Sequence, residues 1–262
     1  MCPSLSRRWV VLAALCVAAS SVGCALTRTS GELERSPAEI SARIFGGNAG
    51  LRSLRAVVEA RFSYAGRDVT VPGVLLLDAL EGFRLDLLDP LDRPLAMLFT
   101  EGPRIVQLRP SAGIAASLGV FPAACGVGPQ DWVAGVIASS PAPRAGEVPA
   151  VHGLFGGDYA LERSTEAKGR HSVRFKMENG EPVPLLFSWY CGDDAAMQLR
   201  VREWVQVGTW RFPRFIEVKY LLAGFSVKME LREIEGNPAL GGQPLQPRVS
   251  DTTRWTTWRL PQ

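Results

Sequence analysis

From Arg55 onward the apolar residues of this chain recur every second position, and that period confines it to β-sheet. Ala56, Val58, Ala60, Phe62 and Tyr64 alternate with Val57, Glu59, Arg61 and Ser63. Side chains on a strand point to opposite faces in turn, so such a run is a strand with one face for a core. Ala65-Gly66-Arg67 turns the chain. A second run carries Val69, Val71, Gly73, Leu75 and Leu77, and a third Phe83, Leu85 and Leu87. Two more, at 95–100 and 104–109, are separated by Glu101-Gly102-Pro103. Five short strands joined by tight turns predict an antiparallel meander.

The middle of the chain breaks this period. Residues 112–118 read as a short helix and 129–139 as a firmer one, in which Trp132, Val133, Val136 and Ile137 form a stripe at helical spacing. Residues 141–149, rich in Pro, Ala and Gly, read as a loop. Alternation then resumes at 159–163, 172–177, 185–190, 197–207, 215–222 and 225–234. Val227, Met229 and Leu231 against Lys228, Glu230 and Arg232 give the clearest half-buried pattern. About eleven strands flank one helical insert, by this pattern count. A long antiparallel sheet curls, and helices can plug an incompletely closed barrel. The expected fold is therefore mainly β with helices, a half-open antiparallel β-barrel with an inserted helical plug or lid.

Before the strands, Ser36-Pro37-Ala38-Glu39 is a helix start: Ser36 caps, Pro37 takes the first helical position and Glu39 closes a capping box. Further upstream, Arg7 and Arg8 precede an apolar run from Trp9 to Ala19, which has the length of a signal-peptide core. Ser21-Val22-Gly23-Cys24 resembles a bacterial lipobox, with Cys24 acylated after cleavage and Ser21 standing where Leu or Val is usual. An ordinary secretory signal cut between Ala18 and Gly23 is the alternative. The expected organisation is a lipoprotein signal over 1–23, a tether over 24–35, one half-barrel domain over 36–236 and a loosely ordered tail over 237–262. Without Arg7 and Arg8 the chain holds 27 basic and 26 acidic side chains. That balance, with no basic stripe, excludes an electrostatic nucleic-acid binder. Cys125 and Cys191 remain after the signal and Cys24 are set aside, and they form either a disulfide or two separate buried thiols.

Candidate chemistry is sparse. His152 and His171 have no second His or carboxylate at ligand spacing, and both read as surface residues. No G-x-S-x-G, P-loop, CxxC or HExxH occurs. Asp193-Asp194 could be an acid pair, but its Cys-Gly-Asp-Asp setting between two strands reads as a hairpin turn. The expectation is a protein that is not an enzyme, with no metal and no cofactor.

The most informative stretch runs from Phe83 to Leu95. A strand stands on each side of a short loop stiffened by Pro90 and Pro94, and Leu91 is alone among Asp89, Asp92 and Arg93. Either Leu91 points outward as a wedge for lipid or a partner's groove, or it tucks against a neighbouring loop.

Residues 55–110, the Trp132 helix and the strands over 212–234 resemble the LolB outer-membrane lipoprotein receptors of the LolA/LolB lipoprotein-localisation superfamily. Asp89-Pro90-Leu91 is similar to that family's Asn-Pro-Leu-Gly-like turn, whose leucine enters the membrane, with Asp92 in the place of the glycine. Gln130-Asp131-Trp132-Val133-Ala134-Gly135 is similar to its cavity-lining helix, and Phe212-Pro213-Arg214-Phe215-Ile216 to the entry of its penultimate strand. Residues 138–154 and the tail have no counterpart. The resemblance implies a monomeric outer-membrane lipoprotein facing the periplasm, anchored through Cys24, with Ala25 favouring sorting to that membrane. It would take acyl chains of lipoproteins from a periplasmic LolA-like carrier and insert the cargo in the inner leaflet of the outer membrane. Pro90 and Leu91 would form the insertion loop. Val58, Phe62, Leu75, Leu85, Trp132, Val136, Ile137, Val227 and Met229 would line the cavity, with Trp132 and Ile137 in a mobile lid. Two rivals are a carrier of another lipid on the same fold and a structural lipoprotein holding a partner in an envelope assembly.

Overall fold

The computed structural model of the chain describes residues 35–64, 66–120, 127–137, 148–164, 169–221, 224–238, 245–247 and 253–257. The segments expected to form a signal and a tether, through residue 34 and with Cys24 included, lie outside that set, as does Cys125.

Helix α1 (Pro37–Gly46) opens as its sequence dictates. The Ser36 side chain accepts from the Glu39 N–H, and the Glu39 carboxylate accepts from the Ser36 N–H at 2.8 Å. Those bonds hold the Glu39 carboxyl below its ordinary range. Five strands follow as a meander: β1 (Ser53–Tyr64), β2 (Arg67–Asp78), β3 (Gly82–Leu88), β4 (Pro94–Glu101) and β5 (Arg104–Arg109). Then come β6 (Ile114–Val120), helix α2 (Pro129–Ile137), β7 (Val148–Gly153), β8 (Tyr159–Ser164), β9 (Gly169–Glu178) and β10 (Glu181–Cys191). The remainder is β11 (Asp194–Val207), β12 (Trp210–Tyr220), β13 (Phe225–Gly236) and β14 (Arg254–Thr257).

The described strands make one sheet of fourteen, in the order β14-β6-β5-β4-β3-β2-β1-β13-β12-β11-β10-β9-β8-β7. Thirteen of them run antiparallel to their neighbours, and β14 joins β6 in parallel. The two edges, β14 and β7, do not pair with each other, so the barrel is open. Among the described strands, chain order follows strand order except at β14–β6 and at β1–β13, where the first strand of one meander meets the last of the other. Val58 faces Leu231 there, and Phe62 faces Val227.

Three strands differ from expectation. The stretch 112–118 is a 3-10 turn, Pro110–Ala112, and then strand β6 rather than a helix. Its alanines favour helix in isolation, but β5 and β14 offer hydrogen-bonding partners on both sides, and tertiary pairing overrides a weak local preference. His152 lies in β7, where a loop was expected. The tail expected to be loosely ordered contributes β14, and Leu245 is buried.

Both helices lie against the same face of the sheet. Phe187 of β10 touches Phe45 of α1 at 6.2 Å between ring centres, and a Cβ on Gly135 of α2 would sit 3.5 Å from the same Phe187 ring. Helix α1 packs on β7, β8 and β10 and is tied down by Arg43, which donates to Glu181 at 2.6 Å. Helix α2 packs on β3, β11 and β12. Its approach depends on Gly135, since a Cβ there would come within 2.7 Å of Leu199 Cδ2. The sheet is buried on its other face too across β4–β6, where Phe99, Val106, Leu108 and Ala115 cluster. These positions are out of phase with Leu98, Ile105 and Gln107, which face the helices' side.

Candidate functional site: an apolar hollow and a leucine loop

The inward column of β1 shows how the site arises. Leu54, Ala56, Val58 and Ala60 are all at most 1% exposed, whereas Phe62, further along the same face, is half-buried. The first four stand where the interior is filled, and Phe62 stands where it is not. Beyond that filled core the sheet encloses a hollow of about 430 Å³. Its wall comes from nearly every strand of the first meander and from β11–β13, with Val71, Leu75, Leu85, Leu98, Val218 and Met229 among its residues. Trp132 reaches it from α2 and lies 4.7 Å from Phe83, ring centre to ring centre, at a tilt of 54°. Burial pushes the Tyr220 hydroxyl up from its ordinary pKa, and its ring packs on Phe225 at 5.7 Å.

Strand registers place the mouth. Tyr64 pairs with Arg67 and Phe225, Leu88 with Pro94, and Arg109 with Ile114, so these turns share one end of the sheet. Val69 both lines the hollow and is 57% exposed, which puts the opening at that end. Leu91, Leu95 and Leu221 are exposed apolar residues at the same end.

Of the residues expected to line a cavity, Phe62, Leu75, Leu85, Trp132, Val227 and Met229 do so. Val58, Val136 and Ile137 do not; they are 0–1% exposed in the solid part of the interior. The hollow instead draws on Val69, Val71, Phe83, Leu98 and the β11–β12 residues, which alternation marks as inward without marking them as unfilled.

The loop carrying Leu91 is built by Asp89. One carboxylate oxygen accepts from the backbone N–H of Leu91 at 2.8 Å and of Arg93 at 3.0 Å, and the other accepts from Arg93 Nε at 2.6 Å. The Asp89 N–H in turn donates to the Arg93 carbonyl at 2.9 Å. These bonds, the Arg93 N–H foremost, hold the Asp89 carboxyl below the usual carboxylate range. Asp92 adopts the left-handed conformation, φ 58°, that glycine would take at no cost and that Asp tolerates. So braced, the loop leaves Leu91 71% exposed.

The other candidate residues resolve into structure. Asp193 and Asp194 flank the β10–β11 turn, with Gly192 at φ 64°. His171 is a half-buried member of an aromatic stack, parallel to Trp189 at 5.0 Å, rather than a surface residue. Cys191 is disulfide-bonded. Among the described residues no cluster of His, Cys, Asp and Glu could hold a metal ion, and no helix is long and apolar enough to cross a membrane.

By sequence the chain matches no protein-family model and none of the curated proteins. Solved structures are more informative. A domain from Vibrio parahaemolyticus described as an outer membrane lipoprotein-sorting protein superposes with a TM-score of 0.52 at 13% identity, covering 79% of this chain and 94% of that one. What they share is the fold. A DUF1329 family protein from Desulfovibrio piger aligns with a TM-score of 0.53 at 9% identity, over 78% of this chain and 93% of that one. The likeness to both chains is one of fold, at 9% and 13% identity.

Proposed function

We propose that this protein is an acyl-chain binding lipoprotein of the cell envelope, related to the LolA/LolB superfamily, and not an enzyme. It accepts acylated lipoproteins in the hollow and helps insert them in the outer membrane. The observation that carries this reading is an apolar hollow opening at the sheet end where Leu91 projects. Burying acyl chain contributes about 0.8 kcal/mol per methylene, or roughly 10 kcal/mol for a long chain. Release into water would forfeit that gain. Passage from one apolar hollow to another and then into a bilayer nearly cancels it at each step. Such a receptor needs a tether, a hollow and a wedge, and Cys24, the barrel interior and Leu91 supply them. A periplasmic carrier of the same fold would hand over the cargo.

The test is expression of the full chain in a strain depleted of its own lipoprotein receptor, with mass spectrometry of co-purifying lipids. Restored sorting and a co-purified acyl lipid are expected. A chain that restores nothing yet carries lipid would be a carrier of another lipid, and one that carries no lipid would be a partner-holding envelope protein.

A further inference from the structure

We infer that the hollow prefers an acyl amphiphile with an anionic headgroup, and that Arg109 receives that headgroup at the mouth. The inference rests on the acyl-binding reading and names its ligand class. Strand β5 presents Ile105, Gln107 and Arg109 to the hollow on consecutive inward positions. Ile105 is buried, Gln107 half-buried and Arg109 exposed, so one strand grades from apolar to polar to charged as it approaches the opening. That gradient has the polarity of an amphiphile inserted tail first.

Arg109 is the one charged side chain among the described lining residues, and no described carboxylate pairs with it. A guanidinium with no described carboxylate paired to it, beside an apolar wall, is a strong place for an anion, since its planar fork matches carboxylate or phosphate oxygens bidentately. The acylated cysteine of a lipoprotein carries neither phosphate nor carboxylate on its lipid portion, so Arg109 adds a preference that such cargo would not exploit.

Titration calorimetry of the full chain with palmitate, palmitoyl-lysophosphatidylglycerol and monopalmitoylglycerol compares one tail under carboxylate, phosphate and neutral heads. The expected result is that the anionic ligands bind about tenfold tighter than the neutral one, as a charge-assisted hydrogen bond predicts. Arg109→Gln should bring the anionic affinities down to the neutral level without changing the latter, and Arg109→Lys, which keeps the charge but not the fork, should retain only part of the difference. Whichever anion binds tighter identifies a free fatty acid or a phospholipid as the source. Equal binding of charged and neutral heads by the unmodified chain, or an equal loss of both in Arg109→Gln, overturns the inference and leaves the hollow intact as a tail site. Failure of all three ligands to bind overturns the acyl-binding reading itself.

Discussion

The side-chain amide of Asn48 donates to the backbone carbonyl of Ile137 at 2.6 Å, linking residues 89 apart at the ends of two helices. The same amide donates to the Arg211 carbonyl at 2.7 Å, and its oxygen accepts from the Arg211 N–H at 2.8 Å. Asn48 is 1% exposed. One side chain therefore fastens the end of α1, the last carbonyl of α2 and the start of β12. Asn48→Ala would leave the buried Ile137 carbonyl and the part-buried Arg211 N–H and carbonyl without this partner. Each such group costs about 1–3 kcal/mol, and a loss of about 3 kcal/mol in unfolding free energy is expected by denaturant titration, with Asn48→Asp similarly destabilised.

The Leu91 loop should depend on pH through Asp89. Its folded pKa is depressed, so the stability it contributes is complete above the ordinary Asp value, near 3.9, and is lost as pH falls through the depressed one. Amide resonances of Leu91 and Arg93 should stay at their neutral-pH positions down to about that value and move only below it. Asp89→Ala should give the acid-form spectrum at neutral pH. A midpoint above the ordinary Asp value would contradict the bonding described.

Leu91→Glu should separate delivery from binding. The side chain is exposed, so its replacement changes stability by only about 0.5 kcal/mol or less. Burying a leucine in lipid contributes about 1.5–3 kcal/mol, and the rate of acyl transfer from the loaded protein to vesicles should fall about tenfold or more. Affinity for the acyl ligand should not change. Transfer at the normal rate would remove the wedge from the mechanism.

Filling the hollow should do the reverse. Val71 is half-buried on the inward face of β2 and lines the empty part of the barrel. Val71→Trp places an indole in free space, so a melting temperature within a few degrees of the unmodified chain is expected. Ligand binding by calorimetry should drop about tenfold or be lost. A variant that still binds normally would place the ligand elsewhere.

The strands that could be read from the chain are those in the interior of the sheet. From β1 to β5 and from β8 to β13 each strand buries an inward face, and alternation is the trace of that burial where the other face meets solvent, as along β13. The three strands that alternation does not mark, β6, β7 and β14, lie at the two margins of the sheet. Marginal strands bury less, and their identity depends on a partner far away in sequence, as when Arg254 meets Ile114. The capping box of Ser36 and Glu39 was legible because both of its partners are local.

The hollow was legible only as a set of inward positions. Val58 and Phe62 belong to one strand, one face and one residue class, four positions apart. Alternation assigns both to the interior, because the backbone alone dictates the face on which a side chain stands. Whether that interior is filled depends on how far α1 and α2 extend across it, and their reach is set by contacts such as Gly135 against Leu199 and Asn48 against Ile137. The period of the sequence thus determined which side of the sheet is apolar, and tertiary packing alone decided that part of that side would stay empty.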